Sequence, residues 1–344
     1  MKTSAKIKHV GLALQGGGSH GAFTWGVLDR LMEEETLSID AICGTSAGAV
    51  NAVVCAYGFH KGGAIKAKEL LANLWRKVSM AGGFKPSAFD KYFGHGDLTY
   101  SPEYVLYNAL APYLSPYTFN PFNYNPLRTI LDELVDFKDL HTYEDKKIFI
   151  CATNVKTNRA RIFPIKEITA DTVLASACLP LLFQAVKVDD AYYWDGGYMG
   201  NPPIFPIINR TSVKDIVLVK LDSFNIKSVP STVREISDRV NEISFNSSLI
   251  NEIKIIQYRN ELLRHGILKT DDTFNREIFM HTISGYETFS QMHYSSKMNT
   301  SWEFLTGLKQ KGRETAERWL RKEFTSVGSS STFSVEEHLS GTEC

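Results

Sequence analysis

Ile39-Asp40-Ala41-Ile42-Cys43-Gly44-Thr45-Ser46-Ala47-Gly48-Ala49-Val50-Asn51-Ala52-Val53 is the stretch that decides the fold of this chain. Ile39 to Cys43 is a short apolar run of the kind that forms a buried strand. From Ala49 to about Tyr57 small and branched apolar residues form the pattern of a buried helix. Between them Gly44-Thr45-Ser46-Ala47-Gly48 spells G-x-S-x-G, the strand–turn–helix context of a nucleophile elbow. A serine on so sharp a turn stands at the strand end, its small neighbours relieve crowding, and the helix dipole favours the alkoxide that develops. The plainer reading makes Ser46 a helix N-cap in a small-residue turn.

Toward the N-terminus the pattern repeats. His9 to Leu14 reads as a buried strand, and Ala22 to Glu35 as a helix with Phe23, Val27 and Leu31 on one face. Strand, helix, strand and helix in this order imply parallel strands joined by crossovers. The first strand runs through Gln15 into Gly16-Gly17-Gly18-Ser19-His20-Gly21. This loop satisfies G-x-G-x-x-G, with Asp40 about where a dinucleotide site places its acidic residue. That residue belongs at the carboxyl end of the second strand, however, and Asp40 stands at its beginning. A second reading has the loop and the following helix's first turn supply N–H donors to an oxyanion. A third is a tight turn with no ligand.

Toward the C-terminus the question is what activates Ser46, since a free hydroxyl is a poor nucleophile. The order serine, acid, histidine of α/β-hydrolases would need one of His265, His281, His293 or His338. Those enzymes place several strands before the elbow, and only one is recognisable here. Tyr193-Trp194-Asp195-Gly196-Gly197 is the better source. An aspartate between an aromatic strand and two glycines can project into a cleft, where apolar neighbours raise its pKa and strengthen it as a base. The competing reading is an ordinary Asp-Gly hairpin turn.

These pieces together resemble the patatin-like phospholipase family. The order matches, with Gly16–Gly21 as the oxyanion loop, Gly44–Gly48 as the elbow and Asp195-Gly196-Gly197 as the aspartate motif. Ala175-Ser176-Ala177-Cys178-Leu179-Pro180 also looks like the family's small-residue helix before the aspartate strand. The resemblance covers about residues 8–222 and implies an α/β fold, three-layer α/β/α with a mostly parallel sheet and a Ser–Asp dyad. It makes Ser46 the nucleophile and Asp195 the general base of a lipid acyl hydrolase of phospholipase A, lysophospholipase or carboxylesterase type. It gives the oxyanion to Gly16, Gly17, Gly18 and Ser19, with His20, Gly21, Gly44, Gly48, Gly196 and Gly197 in support. His20 departs from the family, which often has Arg or Lys there, and would place a phosphate less well above its pKa. A nucleotide-binding protein using Gly16–Gly21 and an inactive interaction module are the alternatives.

Composition bounds the rest. With 38 basic and 38 acidic residues the formal net charge is zero, so no long-range pull toward nucleic acid or anionic membrane is expected. The N-terminal apolar run is too short for a signal peptide, and no run approaches a membrane span. The expected setting is cytoplasmic or peripheral to a membrane, the expected partner a lipid or acyl ester, and a homodimer is left open. No cofactor or metal is expected. The five cysteines show no metal spacing, and four stand in apolar contexts as reduced core residues. Residues 82–126, rich in Pro, Tyr and Phe, read as an excursion from the sheet within a domain spanning 1–325. The Ser-rich stretch 326–344 reads as a structureless tail.

Overall fold

Each central strand divides its side chains between two apolar clusters, and that alternation builds three layers. Val10, Leu12 and Leu14 enter one cluster and Ala13 the other; Val217 and Val219 part from Ile216 and Leu218 in the same way. The computed structural model describes residues 6–333 except 94–95, 111–112, 223, 225, 227–228 and 271–274.

The chain opens with β1 (Lys8–Leu14), α1 (Gly21–Leu31), β2 (Leu37–Thr45) and α2 (Ala47–Met80). The excursion follows as α3 (Ala88–Phe93), α4 (Pro102–Leu110) and α5 (Pro116–Phe119), leading into α6 (Pro126–Leu134) and α7 (Phe137–Leu140). Three of these helices begin at a proline, whose fixed φ suits the first turn and whose missing N–H costs nothing there. The sheet resumes with β3 (Lys147–Asn154) and β4 (Arg159–Pro164), then α8 (Ala170–Ser176), β5 (Val186–Val188) and β6 (Ala191–Asp195). The rest is α9 (Phe205–Arg210), β7 (Asp215–Lys220), α10 (Val233–Arg264), β8 (Phe279–Ser284), α11 (Tyr286–Phe289) and α12 (Trp302–Lys322).

The eight strands pair in the order β5-β6-β3-β2-β1-β7-β8, with β4 also on β3. The five from β3 to β8 run parallel, while β4, β5 and β6 attach antiparallel. Helices α1, α2, α8 and α12 contribute to one cluster, α9 and α10 to the other.

One junction positions the site. β2 pairs with Lys147–Cys151 of β3, and β6 pairs with Ala152–Asn154. β4 pairs with Phe149–Asn154, overlapping both. Two strands cannot hold the same stretch of one edge, so β2 and β6 lie in line on the edge opposite β4. Their carboxyl ends, Thr45 and Asp195, therefore point at each other across the Cys151–Ala152 step.

Three expectations need correction. The elbow helix runs on past Tyr57 to Met80, across a kink at Gly62 and Gly63. The small-residue helix expected through Ala175–Pro180 ends at Ser176, since Pro180 has no N–H and disfavours helix before it. Residues 327–333 do not fit a structureless tail. Val327 and Phe333 are buried, the Thr332 and Phe333 N–H groups donate to the Met280 carbonyl, and the Gly328 N–H donates to Asp215 Oδ1 at 2.7 Å. Residues 334–344, including His338 and Cys344, lie outside the described residues. Cys43, Cys55, Cys151 and Cys178 are buried free thiols.

Candidate active site

Ser46 stands where β2 breaks into α2, with φ 54° and ψ −124°. A non-glycine residue at positive φ is strained and persists only where its surroundings enforce it. Here the enforcement is close packing. A methyl on Gly48 would come within 2.1 Å of the Leu14 carbonyl oxygen, so only glycine lets α2 start this near β1, and Gly44 packs as tightly under Gly48. The Ser46 N–H donates to Ser176 Oγ at 3.0 Å, and Thr45 Oγ1 donates to the Gly200 carbonyl at 2.6 Å.

Asp195 ends β6 and is wholly buried. Its N–H donates to the Cys178 carbonyl at 2.8 Å, and its carbonyl accepts from Thr153 Oγ1 at 2.8 Å, so its backbone is held from both sides. The Gly197 N–H donates to Oδ1 at 2.8 Å, within a single 3-10 turn over Gly196–Tyr198. The chain continues into that turn, so the hairpin reading of Asp195-Gly196 does not hold. Burial pushes the carboxyl up to about 7, against the lowering effects of the Gly197 N–H and the Ser46 hydroxyl. Oδ2 is buried with no hydrogen bond of good geometry, although the Ser46 hydroxyl is near enough to act on the carboxyl. Asp195 thus keeps one carboxylate oxygen unengaged on the side of the Ser46 hydroxyl.

The glycine loop lies against this pair. A methyl on Gly16 would stand 2.8 Å from Ser46 Cβ. The Gly16 N–H is already taken, donating to Asn201 Oδ1 at 2.7 Å, which removes it from the expected oxyanion donors. The N–H groups of Gly17, Gly18 and Ser19 donate to no acceptor among the described residues. Gly18 has φ 58°, and a methyl there would lie 2.4 Å from the Lys297 carbonyl oxygen, so the 294–298 turn presses directly on the loop. Gly21 begins α1, and Asn51 Nδ2 donates to its carbonyl at 3.0 Å, tying the loop to the elbow helix.

His20 is turned into the core. It is buried, stacks on Phe289 with ring centroids 4.1 Å apart, and shares a 2.7 Å hydrogen bond with Ser296 Oγ. Burial first, and the Lys297 ammonium second, hold its pKa well below the usual imidazole value, so the ring is neutral. The cation beside the loop is Lys297, largely buried and 2.6 Å from Asp222 Oδ1. Burial pulls this ammonium down, but Asp222 and Tyr294 outweigh it and its pKa rises.

Several residues essential to this geometry escaped the sequence reading. Gln15 donates to Asn246 Oδ1 at 2.9 Å, and its Oε1 accepts from the Leu221 and Asp222 N–H groups at 2.7 and 2.9 Å. It thus locks β1's end to β7 and α10. Asn201, Ser176 and Lys297 act across long sequence separations, and only the stretch holding Ser176 drew notice. The nucleotide reading loses its acidic partner, because Asp40 pairs with His9 at 2.8 Å, near the opposite end of β1 from the loop. Of the triad's candidate histidines, one is committed to the core. His281 lies in β8, 3.0 Å from Asp215 Oδ1 and bonded to Thr332 Oγ1, as a core residue.

The sequence model of one family, described as patatin-like phospholipase, matches residues 12–208. Among solved structures, VipD from Legionella pneumophila aligns with 93% of this chain and 72% of its own length, at 17% identity and TM-score 0.42. The type III effector ExoU aligns with 92% of this chain at 15% identity and TM-score 0.36. In its heterodimeric complex with SpcU, from Pseudomonas aeruginosa, the figures are 92%, 14% and 0.37. The chain spans about half of ExoU's length, 54% and 52% in the two structures. No curated protein matches the chain in sequence.

Proposed function

Because this chain belongs to the patatin-like phospholipase family, we propose that it is a lipid acyl hydrolase of phospholipase A, lysophospholipase or carboxylesterase type, with Ser46 as nucleophile and Asp195 as general base. The observation that carries this reading is the strained Ser46 beside a buried aspartate whose carboxyl is pushed up to about 7. A base with a pKa near the working pH is both ionised and basic enough to take a proton.

Asp195 removes the Ser46 hydroxyl proton as Oγ attacks the ester carbonyl. The tetrahedral oxyanion lies toward the unengaged N–H groups of Gly17, Gly18 and Ser19, whose fixed orientation needs no rearrangement during the reaction. Collapse breaks the ester C–O bond, and the leaving alcohol takes the proton from Asp195. A water molecule then gives a proton to Asp195 and attacks the acyl carbonyl. The acyl–Oγ bond breaks, the serine regains its proton, and the fatty acid leaves.

Ser46→Ala and Asp195→Asn are each expected to abolish cleavage of chromogenic acyl esters without unfolding the protein. Near wild-type turnover by Asp195→Asn sinks the dyad. A wild-type protein whose Ser46 resists a fluorophosphonate probe points instead to an inactive interaction module.

A further inference from the structure

Two exposed apolar surfaces, from distant parts of the chain, border the same site. The first is the excursion. Residues 98–127 hold a single charged side chain, Glu103. Phe122 is 93% exposed and Tyr113 84%, and Leu106, Tyr117 and Tyr124 are also open to solvent. This surface is fastened to the wall of the site. Gln184 Nε2 donates to the Asn120 carbonyl at 2.8 Å, and the Ala185 N–H donates to the Tyr117 hydroxyl at 3.3 Å, a few residues beyond the Cys178 that holds Asp195.

The second surface is the first half of α10. Val233, Ile236, Val240 and Ile243 repeat at three and four positions and are all exposed, Val233 by 86%. Such a stripe on a helix of a folded domain should face a core, and this one has no cover among the described residues. Further along the same helix Phe245 packs on Tyr198, beside Gly197, and Asn246 holds Gln15. The Tyr294 phenol feels the charge of Asp238 on α10 and of Asp195, and Tyr107 on α4 feels Tyr294 in turn.

Charge says what these surfaces fit. Residues 98–127 carry that single charge, and between Val233 and Ile243 two arginines stand against three acidic residues. Neither stretch has a net positive charge to attract an anionic lipid headgroup or an acidic partner. Tyrosine rings, apolar in body with one polar end, suit the boundary between water and hydrocarbon. We propose that the excursion and the exposed stripe of α10 together seat this protein on a zwitterionic lipid bilayer, beside the mouth of the acyl-cleaving site. This rests on the hydrolase reading only for its choice of lipid over protein.

The test uses full-length Ser46→Ala protein, so no lipid is consumed, floated with phosphatidylcholine vesicles. The bound fraction is expected to be the same with or without phosphatidylserine and at low or high salt. Tyr113→Ser with Phe122→Ser, and separately Ile236→Ser with Val240→Ser, should each weaken partitioning at least about tenfold, since each removes two large apolar side chains from the contact. All four positions are exposed, and unchanged thermal melting excludes misfolding as the cause. Failure to bind any vesicle, binding that requires phosphatidylserine and vanishes with salt, or binding indifferent to both pairs overturns the proposal. So does a dimer that these substitutions dissociate, which would give the surface to a second copy. Fluorophosphonate labelling of the wild type keeps the two readings apart. Label without vesicle binding sinks the docking surface alone, and vesicle binding without label sinks the hydrolase reading alone.

Discussion

Asp195 carries the strongest consequence at the scale of single residues. As the proposed base, its carboxyl must be ionised to accept the Ser46 proton, and burial pushes its pKa up to about 7. kcat/KM for a neutral ester should therefore rise with pH and level off above a pKa near 7, with no descending limb from histidine. A profile flat down to about pH 5 would contradict the assignment of the base. Stability follows with the opposite sense. The unfolded carboxyl ionises near its ordinary 3.8 and the folded one near 7, so the folded state binds the proton more tightly. Asp195's contribution is full below the ordinary value and lost as pH climbs to about 7. Asparagine keeps the shape without the charge. Asp195→Asn should thus gain stability relative to wild type across that window, by on the order of 3 to 4 kcal/mol. Urea unfolding at about pH 4 and pH 8 measures it. Glu252, also pushed up to about 7 by burial, titrates alike in both proteins and cancels in the difference.

At the scale of elements, the elbow depends on how near α2 approaches β1. Gly48→Ala would drive a methyl into the Leu14 carbonyl, a backbone atom that cannot swing aside. We expect a loss of at least about 2 kcal/mol by chemical denaturation, together with lost activity because Ser46 moves with the turn. The same elements show what was legible in the sequence. β1, β2, β3 and β7 each hold a short apolar run, and the motif glycines mark where the backbone must turn or crowd. Ser46 and Asp195 were readable because each sits in such local context. α2 was read short because Gly58, Gly62 and Gly63 interrupt its apolar face, yet the chain regains helix beyond the kink and buries Leu70, Leu71 and Leu74. Gly16 was misassigned for another reason. Whether an N–H is free depends on what folds back on it, and Asn201 lies 185 residues away. Lys297 gave no local signal either, since its turn meets the glycine loop only in the folded protein.

The whole molecule closes on its C-terminal segment. Lys8 Nζ donates to the Phe324 carbonyl, Gly328 and His281 share Asp215 Oδ1, and Phe333 fills the cluster behind β8. Ending the chain after Thr325 should expose that cluster, leave His281 with one partner fewer and destabilise the protein by at least about 2 kcal/mol. Differential scanning calorimetry of the truncated chain would reveal it, and an unchanged melting temperature would make 326–333 dispensable.

Because one strand aligns β2 and β6 end to end, the gap between the proposed nucleophile and base is set by the rise of β3. The long stretch of chain spanning 82–126 branches off between the nucleophile's helix and that strand, outside the alignment. A change of length there would leave the spacing between Ser46 and Asp195 to β3 alone.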